Sequence, residues 1–317
     1  MTLERFPFPF TRDSYRYSTN IEPARTFTRT ATGGWGADVI DVDPHYAADL
    51  TLREEILASD PSRAVVLPHM RPAAWDALRY VLTELAAAHP GDFRLRHDGP
   101  VLHWENRRRG VRASFRFGDD SALPCDPLTF AALQAQEDLV LLDQREDTLW
   151  ADAGVVTFAA DWSLAFVIGM PFAEIHGPVP RVHEEGVVSR AQDFLLRLEP
   201  GAEFRRTNWS MTVGRRLDVS AEAYPSWGRD RRRATVEGTL AELLHLRVEV
   251  QHLIRLPASN AILFLIRTHL APLSEIAAVP EWRQRFGRVL RELPEDMVEY
   301  KGLQRYRAAA ATWLATA

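Results

Sequence analysis

Residues 246–267, LRVEVQHLIRLPASNAILFLIR, constrain the fold of this chain more than any other stretch. Val248, Val250, His252 and Ile254 alternate with Arg247, Glu249, Gln251 and Arg255, and a period of two belongs to a strand, whose successive side chains point to opposite faces. Pro257 to Asn260 supply a turn. AILFLIR then returns as a nearly all-apolar run, which is the signature of a strand covered on both sides. The expectation is a central hairpin with one polar row, Arg247, Glu249, Gln251 and Arg255, facing something. With Arg206 and Arg267, that row can bind carboxylates by bidentate pairing, or it can close on itself around Glu249. A helix over 245–252 would instead place His245, Glu249 and His252 on one side as a two-histidine, one-carboxylate metal set. The alternation and the β-branched residues favour the strand.

Residues 161–180, DWSLAFVIGMPFAEIHGPVP, hold the second constraint. Pro178 and Pro180 fix their own φ, and Pro178 pushes Gly177 away from helical geometry, so His176 sits on a stiff corner. Such a corner can present a metal ligand; a histidine that merely fills a turn is the alternative.

The other segments read in order as follows. Residues 1–35 carry Phe6, Phe8, Phe10, Tyr15 and Tyr17 and are expected to lie over a core as a strap. Residues 43–57 and 71–88 have helical spacing, the latter with Trp75, Leu78, Val81, Leu82 and Leu85 on one side. Asp98-Gly99 marks a hairpin turn, and Arg107 to Arg109 a solvated loop beside it. Residues 127–142 read as a helix ending in the acidic pair Glu137 and Asp138, while 150–160 and 162–168 read as β-rich. SRAQDFLLRLEPG reads as a capped helix, EFRRTNWSMTV as a strand, 217–227 as a connector, and RDRRR (229–233) as a solvated basic patch. Everything after 271 is helical, with breaks at Pro280 and Pro294.

Composition serves mainly to exclude. A single cysteine, Cys125, rules out an intrachain disulfide and any thiolate-held cluster. A net charge of −5 argues against nucleic acid. No apolar run approaches the ~20 residues of a membrane span, and the first ten residues lack a signal-peptide pattern, so a soluble, unexported, cytoplasmic protein is expected. Gly33-Gly34-Trp35-Gly36 lacks the context of a phosphate loop, and G-x-S-x-G and G-x-G-x-x-G are absent. Lys301 is the only lysine, so arginine supplies nearly all the positive charge.

Taken together, DPHYAADLTLREEIL, QEDLVLL (136–142), EIHGPVP (174–180), RTNW (206–209) and RVEVQHLIRLPASNAILFLIRTHLAPLSEI (247–276) resemble the alpha-subunit-like family of heme-dependent oxidative N-demethylases, also described as dimethylamine monooxygenases. The resemblance implies an α+β fold, with a PAS-like antiparallel sheet core over roughly 92–270 and flanking N- and C-terminal helices. The whole of 1–317 would be one domain, with 271–317 as its helical part. It implies heme b as cofactor, and a small secondary amine oxidised with O2 to a primary amine and formaldehyde. Electrons would come from NAD(P)H through separate reductase subunits carrying flavin or iron-sulfur groups.

His176 lies inside a matching motif and is carried over as axial metal ligand; Arg206, Arg247 and Arg267 are carried over as cofactor contacts. Trp209 and Glu249 are the candidates for the reacting site, with Tyr224 a second aromatic able to flank a cationic amine. One departure is visible: the family usually has arginine where this chain has Val250, a position that alternation turns away from the polar row. The alternative function is a non-catalytic heme-binding sensor or carrier.

Overall fold

The computed structural model describes residues 3–231 and 239–316. Seven strands form one antiparallel sheet: β1 (Glu22–Pro23), β2 (Ala64–Val66), β3 (Asp138–Arg145), β4 (Thr148–Val155), β5 (Glu203–Val213), β6 (Leu244–Arg255) and β7 (Ile262–Pro272). They lie side by side in the order β1-β5-β6-β7-β3-β4-β2. The expected hairpin is therefore the middle of the sheet, and 245–252 is strand, which dissolves the helical metal set. Helices pack on both faces, giving an α+β fold.

Directly paired residues share a face. The register puts Arg206, Gln251 and Ile266 in one row, Asn208, Glu249 and Thr268 in the next, and Ser210, Arg247 and Leu270 in a third. On the opposite face run Arg205, His252 and Leu265, then Thr207, Val250 and Arg267, then Trp209, Val248 and His269. All twelve residues of β6 are buried.

The first face is covered by the 156–202 insertion between β4 and β5, with its helices Leu164–Val167, Phe172–Ile175 and Val187–Leu196. Val140, Leu142, Leu253 and Ile262 of the sheet meet Phe172 and Leu195 there. The second face carries two apolar clusters. Arg71–Ala88 packs Trp75, Leu78 and Leu82 with Leu139, Leu141 and Leu263. Further along, Phe6, Phe8 and Phe10 of the N-terminal strap join Trp282 and Phe286 over Leu246 and Val248, with Phe8 stacked on Trp282 at 4.6 Å. The strap is thus core material, as its aromatics require.

Several expectations are met. Tyr46–Ser59 and Arg71–Ala88 are helices, and Pro280 opens the helix Pro280–Glu292. Asp98 ends one strand and Gly99, at φ 56°, makes the turn into the next, in a separate sheet of Phe93–Asp98, Val101–Asn106 and Val111–Arg116. Arg107, Arg108 and Arg109 are spent on Glu105, Asp92 and Glu54. Of the basic patch, Arg231 binds Asp161 and covers Trp227, while Arg232 and Arg233 lie outside the described residues.

Two expectations are corrected. The helix read over 127–142 is only Pro127–Ala132, capped by Asp126, and of the acidic pair Asp138 opens β3 while Glu137 just precedes it. Leu139 to Leu142 are continuously apolar because β3 is interior to the sheet and covered on both faces. Residues 164–167 form a helical turn capped by Ser163 rather than a strand. The large sheet draws on 138–272 with two outlying strands, and the separate sheet over 93–116 packs its Phe93, Leu102, Trp104 and Phe115 into the same buried cluster as Leu139 and Leu141.

Asp138 is held in place by the backbone N–H groups of Thr157 and Phe158 and by fully buried Arg53 at 2.9 Å. Arg53→Ala strands that carboxylate without its cation, and the expected loss is about 3–5 kcal/mol. The same truncation at the half-exposed pair Arg108 and Asp92 is expected to cost less than about 1 kcal/mol. Urea unfolding midpoints of the two variants check the contrast.

Candidate functional site

His176 closes the one-turn helix Phe172–Ile175 and lies on the insertion that covers the first face of the sheet. Its Nδ1 is 2.8 Å from the Phe172 carbonyl, which can only accept, so Nδ1 carries the proton and Nε2 keeps its lone pair. Among the described residues Nε2 meets no hydrogen-bonding partner. The ring leans on Phe172 at 4.2 Å, and Tyr17 of the strap donates to the Pro180 carbonyl at 2.8 Å, pinning the proline corner. Burial holds the imidazole below its usual pKa, with Arg206 and His183 acting in the same direction, while the bond to Phe172 opposes them.

Arg206 comes from β5. Its Nε donates to the Thr19 carbonyl at 3.0 Å and its Nη1 to Gln251 at 2.8 Å, leaving Nη2 without a hydrogen-bond partner among the described residues. Gln251 passes the chain on to Glu249 at 2.9 Å, which also accepts from Asn208 and Arg247 at 3.3 Å each. Lys301 reaches this group from the C-terminal part, donating to the Trp209 carbonyl at 2.7 Å and lying 4.8 Å over the Trp209 ring. His176, Arg206, Asn208 and Lys301 are each only half-buried, while Trp209, also half-buried, belongs by register to the opposite face with Val248 and His269. Burial lowers the Lys301 pKa to about 8, with Glu249 holding it up and Arg206 pressing it down.

A cleft opens on the other face. It is a cavity of about 130 Å³ bordered by Trp35, Glu137, Val250, His252, Arg267 and His269, among others. Glu137 is fully buried; its Oε1 accepts from the Asp41 N–H at 3.1 Å and its Oε2 has no partner. Burial raises its pKa to about 7, against the pull of Arg267. His252 is buried with both ring nitrogens unpartnered, and burial, then Arg205 and Arg25, depress it to about 3, so it is neutral. Arg267 Nη1 donates to the Thr268 carbonyl at 2.9 Å and Nη2 lies 2.9 Å from Asp43, while Nε is unpartnered.

The residues singled out from the sequence are therefore divided. His176, Arg206, Arg247 and Glu249 share the first face. Arg267 does not join them, because its register pairs it with Val250 on the opposite side of the sheet. Arg247 is fully buried, and its guanidinium binds the Leu217 and Phe158 carbonyls, Thr268 and Glu249, so it is a structural tie rather than a free ligand contact. Trp209 packs edge-on against Phe10 and Phe286 and gives its face to Lys301. Tyr224 is taken by Trp227 and Arg231.

Lys301, His269 and Glu137 were not recognised as site residues. For Lys301 a signal existed, since it is the only lysine. For Glu137 the sequence shows the acidic pair, but its pattern places the pair at a helix end. Among the described residues, the grouping with metal-like spacing is His69, Asp143 and Asp152, and there Arg145 already sits 2.7 Å from Asp152. No described helix is long and apolar enough to cross a membrane.

Against known proteins, residues 31–311 match a family model described as Haem-dependent oxidative N-demethylase, alpha subunit-like.

Because Lys301 is unique, protein labelled at the lysine side chain gives one lysine resonance, expected to titrate at about 8. Glu249→Gln removes the neighbouring negative charge that favours the ammonium, so the midpoint is expected to fall. A midpoint near the ordinary lysine value in the wild type would show Lys301 to be solvated.

Proposed function

We propose, because this chain belongs to the heme-dependent oxidative N-demethylase alpha-subunit-like family, that it is the heme-binding oxygenase subunit of such a system, one domain in which His176 would hold the iron of heme b. The observation that carries this reading is the geometry of His176. With Nδ1–H tied to a backbone carbonyl, Nε2 is left as a free lone pair on a rigid corner, which is how metal-binding histidines are oriented.

The donor set fits the group in kind. Besides the imidazole, Arg206 has Nη2 available for a propionate, and the apolar Phe204 and Phe264 are half-buried on the same face. Arg247 and Arg267 are no longer needed as propionate contacts, the first being spent and the second lying on the far face. The antiparallel sheet with helices inserted on one face between β4 and β5 agrees with a PAS-like core. Bound heme supplies O2 activation and one-electron chemistry.

The side chains do the rest. Glu249 is the buried carboxylate of this group, fixed by Arg247, Asn208 and Gln251, and would hold the ammonium of a small secondary amine. Trp209 contributes through Lys301, whose ammonium already covers its ring. The single cysteine, Cys125, leaves no set of thiolates for an electron-transfer cluster, which supports separate NAD(P)H-dependent reductase subunits with flavin or iron-sulfur groups.

A second reading, a heme sensor or carrier without turnover, draws on Glu249: both its oxygens are engaged, so it is not a free base. Purified protein is expected to show a Soret band that His176→Ala abolishes or shifts; an unchanged spectrum in the variant removes His176 as ligand. With dimethylamine, O2 and a competent reductase, formaldehyde is expected, whereas a carrier yields none.

A further inference from the structure

The cavity on the second face has no part in the function above, yet it gathers unpartnered polar atoms. Trp35 Nε1, Glu137 Oε2, both nitrogens of His252 and Arg267 Nε are all buried without a hydrogen-bonding partner, and all four residues border the same space. Buried polar groups are nearly always paired, so such a convergence points to a ligand that completes them. Trp35, His252 and Arg267 are each at least nine-tenths buried, and Glu137 completely so.

We propose that this cavity is a second binding site, for a small molecule that carries a carboxylate beside a hydrogen-bond donor, as an α-amino or α-hydroxy acid does. The polarity of the atoms defines the class. Trp35 Nε1 and Arg267 Nε can only donate, and neutral His252 offers one further N–H, so three donors await an acceptor with several lone pairs. Glu137 Oε2 and the other His252 nitrogen await a donor. A simple cation is disfavoured at the His252 end, where Arg205 and Arg25 add positive charge. Arg5 also borders the cavity and is paired with Asp41.

Size sets the upper limit. At about 130 Å³ the space is close to the ~150 Å³ of engineered cavities that admit benzene, so roughly six non-hydrogen atoms fit and a tetrapyrrole does not. The sheet separates this space from His176 and Arg206, because Val250, His252 and Arg267 point to the face opposite Glu249 and Gln251. The site is thus independent of the heme reading.

Calorimetric titration of the full-length protein with glycine, glycolate, acetate and methylammonium tests the assignment. Glycine or glycolate is expected to bind saturably, acetate more weakly, and methylammonium not at all. Trp35→Phe, which keeps a ring under Arg205, and Glu137→Gln should each weaken binding by about tenfold, the order of one lost hydrogen bond. Val250→Met, which extends into the cavity, should block it.

Melting temperature establishes that each variant is folded, and the Soret band should stay unchanged in all three, so failure here is distinguishable from failure of the heme assignment. Absence of saturable binding by every probe would mean that the cavity holds only water and would overturn the proposal. Methylammonium binding as tightly as glycine would overturn the carboxylate half, and acetate binding as tightly as glycine the donor half. Indifference of glycine or glycolate binding to all three variants would place the ligand elsewhere.

Discussion

The structure depends on a strand that has no exposed residue. β6 lies between β5 and β7 with layers on both faces, so Arg247, Glu249, Gln251 and Arg255 must find all their partners inside the protein. An unpaired buried charge would cost several kcal/mol, on the order of the net stability of a small domain. The partners found are mostly backbone carbonyls. Arg247 binds those of Phe158 and Leu217, and Arg255 those of Leu195, Leu198 and Asn260. Phe158 and Leu195 to Leu198 lie near the two ends of the 156–202 insertion. The arginine row therefore fastens to the sheet the segment that carries His176.

This role also accounts for the type of cation used. A guanidinium is planar, carries five N–H donors and stays charged, so it can satisfy two or three carbonyls from one buried position. Arg53, Arg63, Arg205, Arg247 and Arg255 are all essentially without exposed surface, and each binds main-chain oxygen or a carboxylate. An ammonium in their place would be a point charge with fewer, less directed bonds. The lone lysine shows the difference, because burial moves Lys301 to about 8, where it exchanges protons near neutrality. Codon preference explains an excess of arginine on a surface; it does not explain why the interior is braced by forks while the titratable cation is only half-buried.

Most of the fold was legible from the chain, and the reason is local. The β6–β7 hairpin, Arg71–Ala88, the Asp98-Gly99 turn and the helix opened by Pro280 each carry a periodicity or a turn residue that acts within a few positions. Residues 136–142 were misread because a short apolar run after polar residues has the same appearance at a helix end and at the start of a buried strand. Only the tertiary partners of Asp138, namely Arg53 and the N–H groups of Thr157 and Phe158, decide between them. The site was legible in part for the same reason. Alternation alone places Glu249 and Gln251 together and His252 apart from them. Nothing local to Arg267 reveals that its neighbours are Val250 and Asp43, since that depends on cross-strand register and on a loop more than two hundred residues earlier.

The position of Val250 brings these threads together. Its alternation was read as removing it from the site, and it does point away from the polar row. But the face it joins is the one that carries His252 and Arg267, and with Glu137 the three border one cavity that Val250 also lines. An arginine there would bring a second guanidinium beside Arg267, fill most of a space of about 130 Å³, and need a counter-charge. Glu137 is the adjacent candidate, and a cation at that distance would hold it ionised. With valine, no such cation stands beside Glu137, burial raises its pKa to about 7, and Trp35 and His252 border the cavity with ring nitrogens that have no partner in the protein.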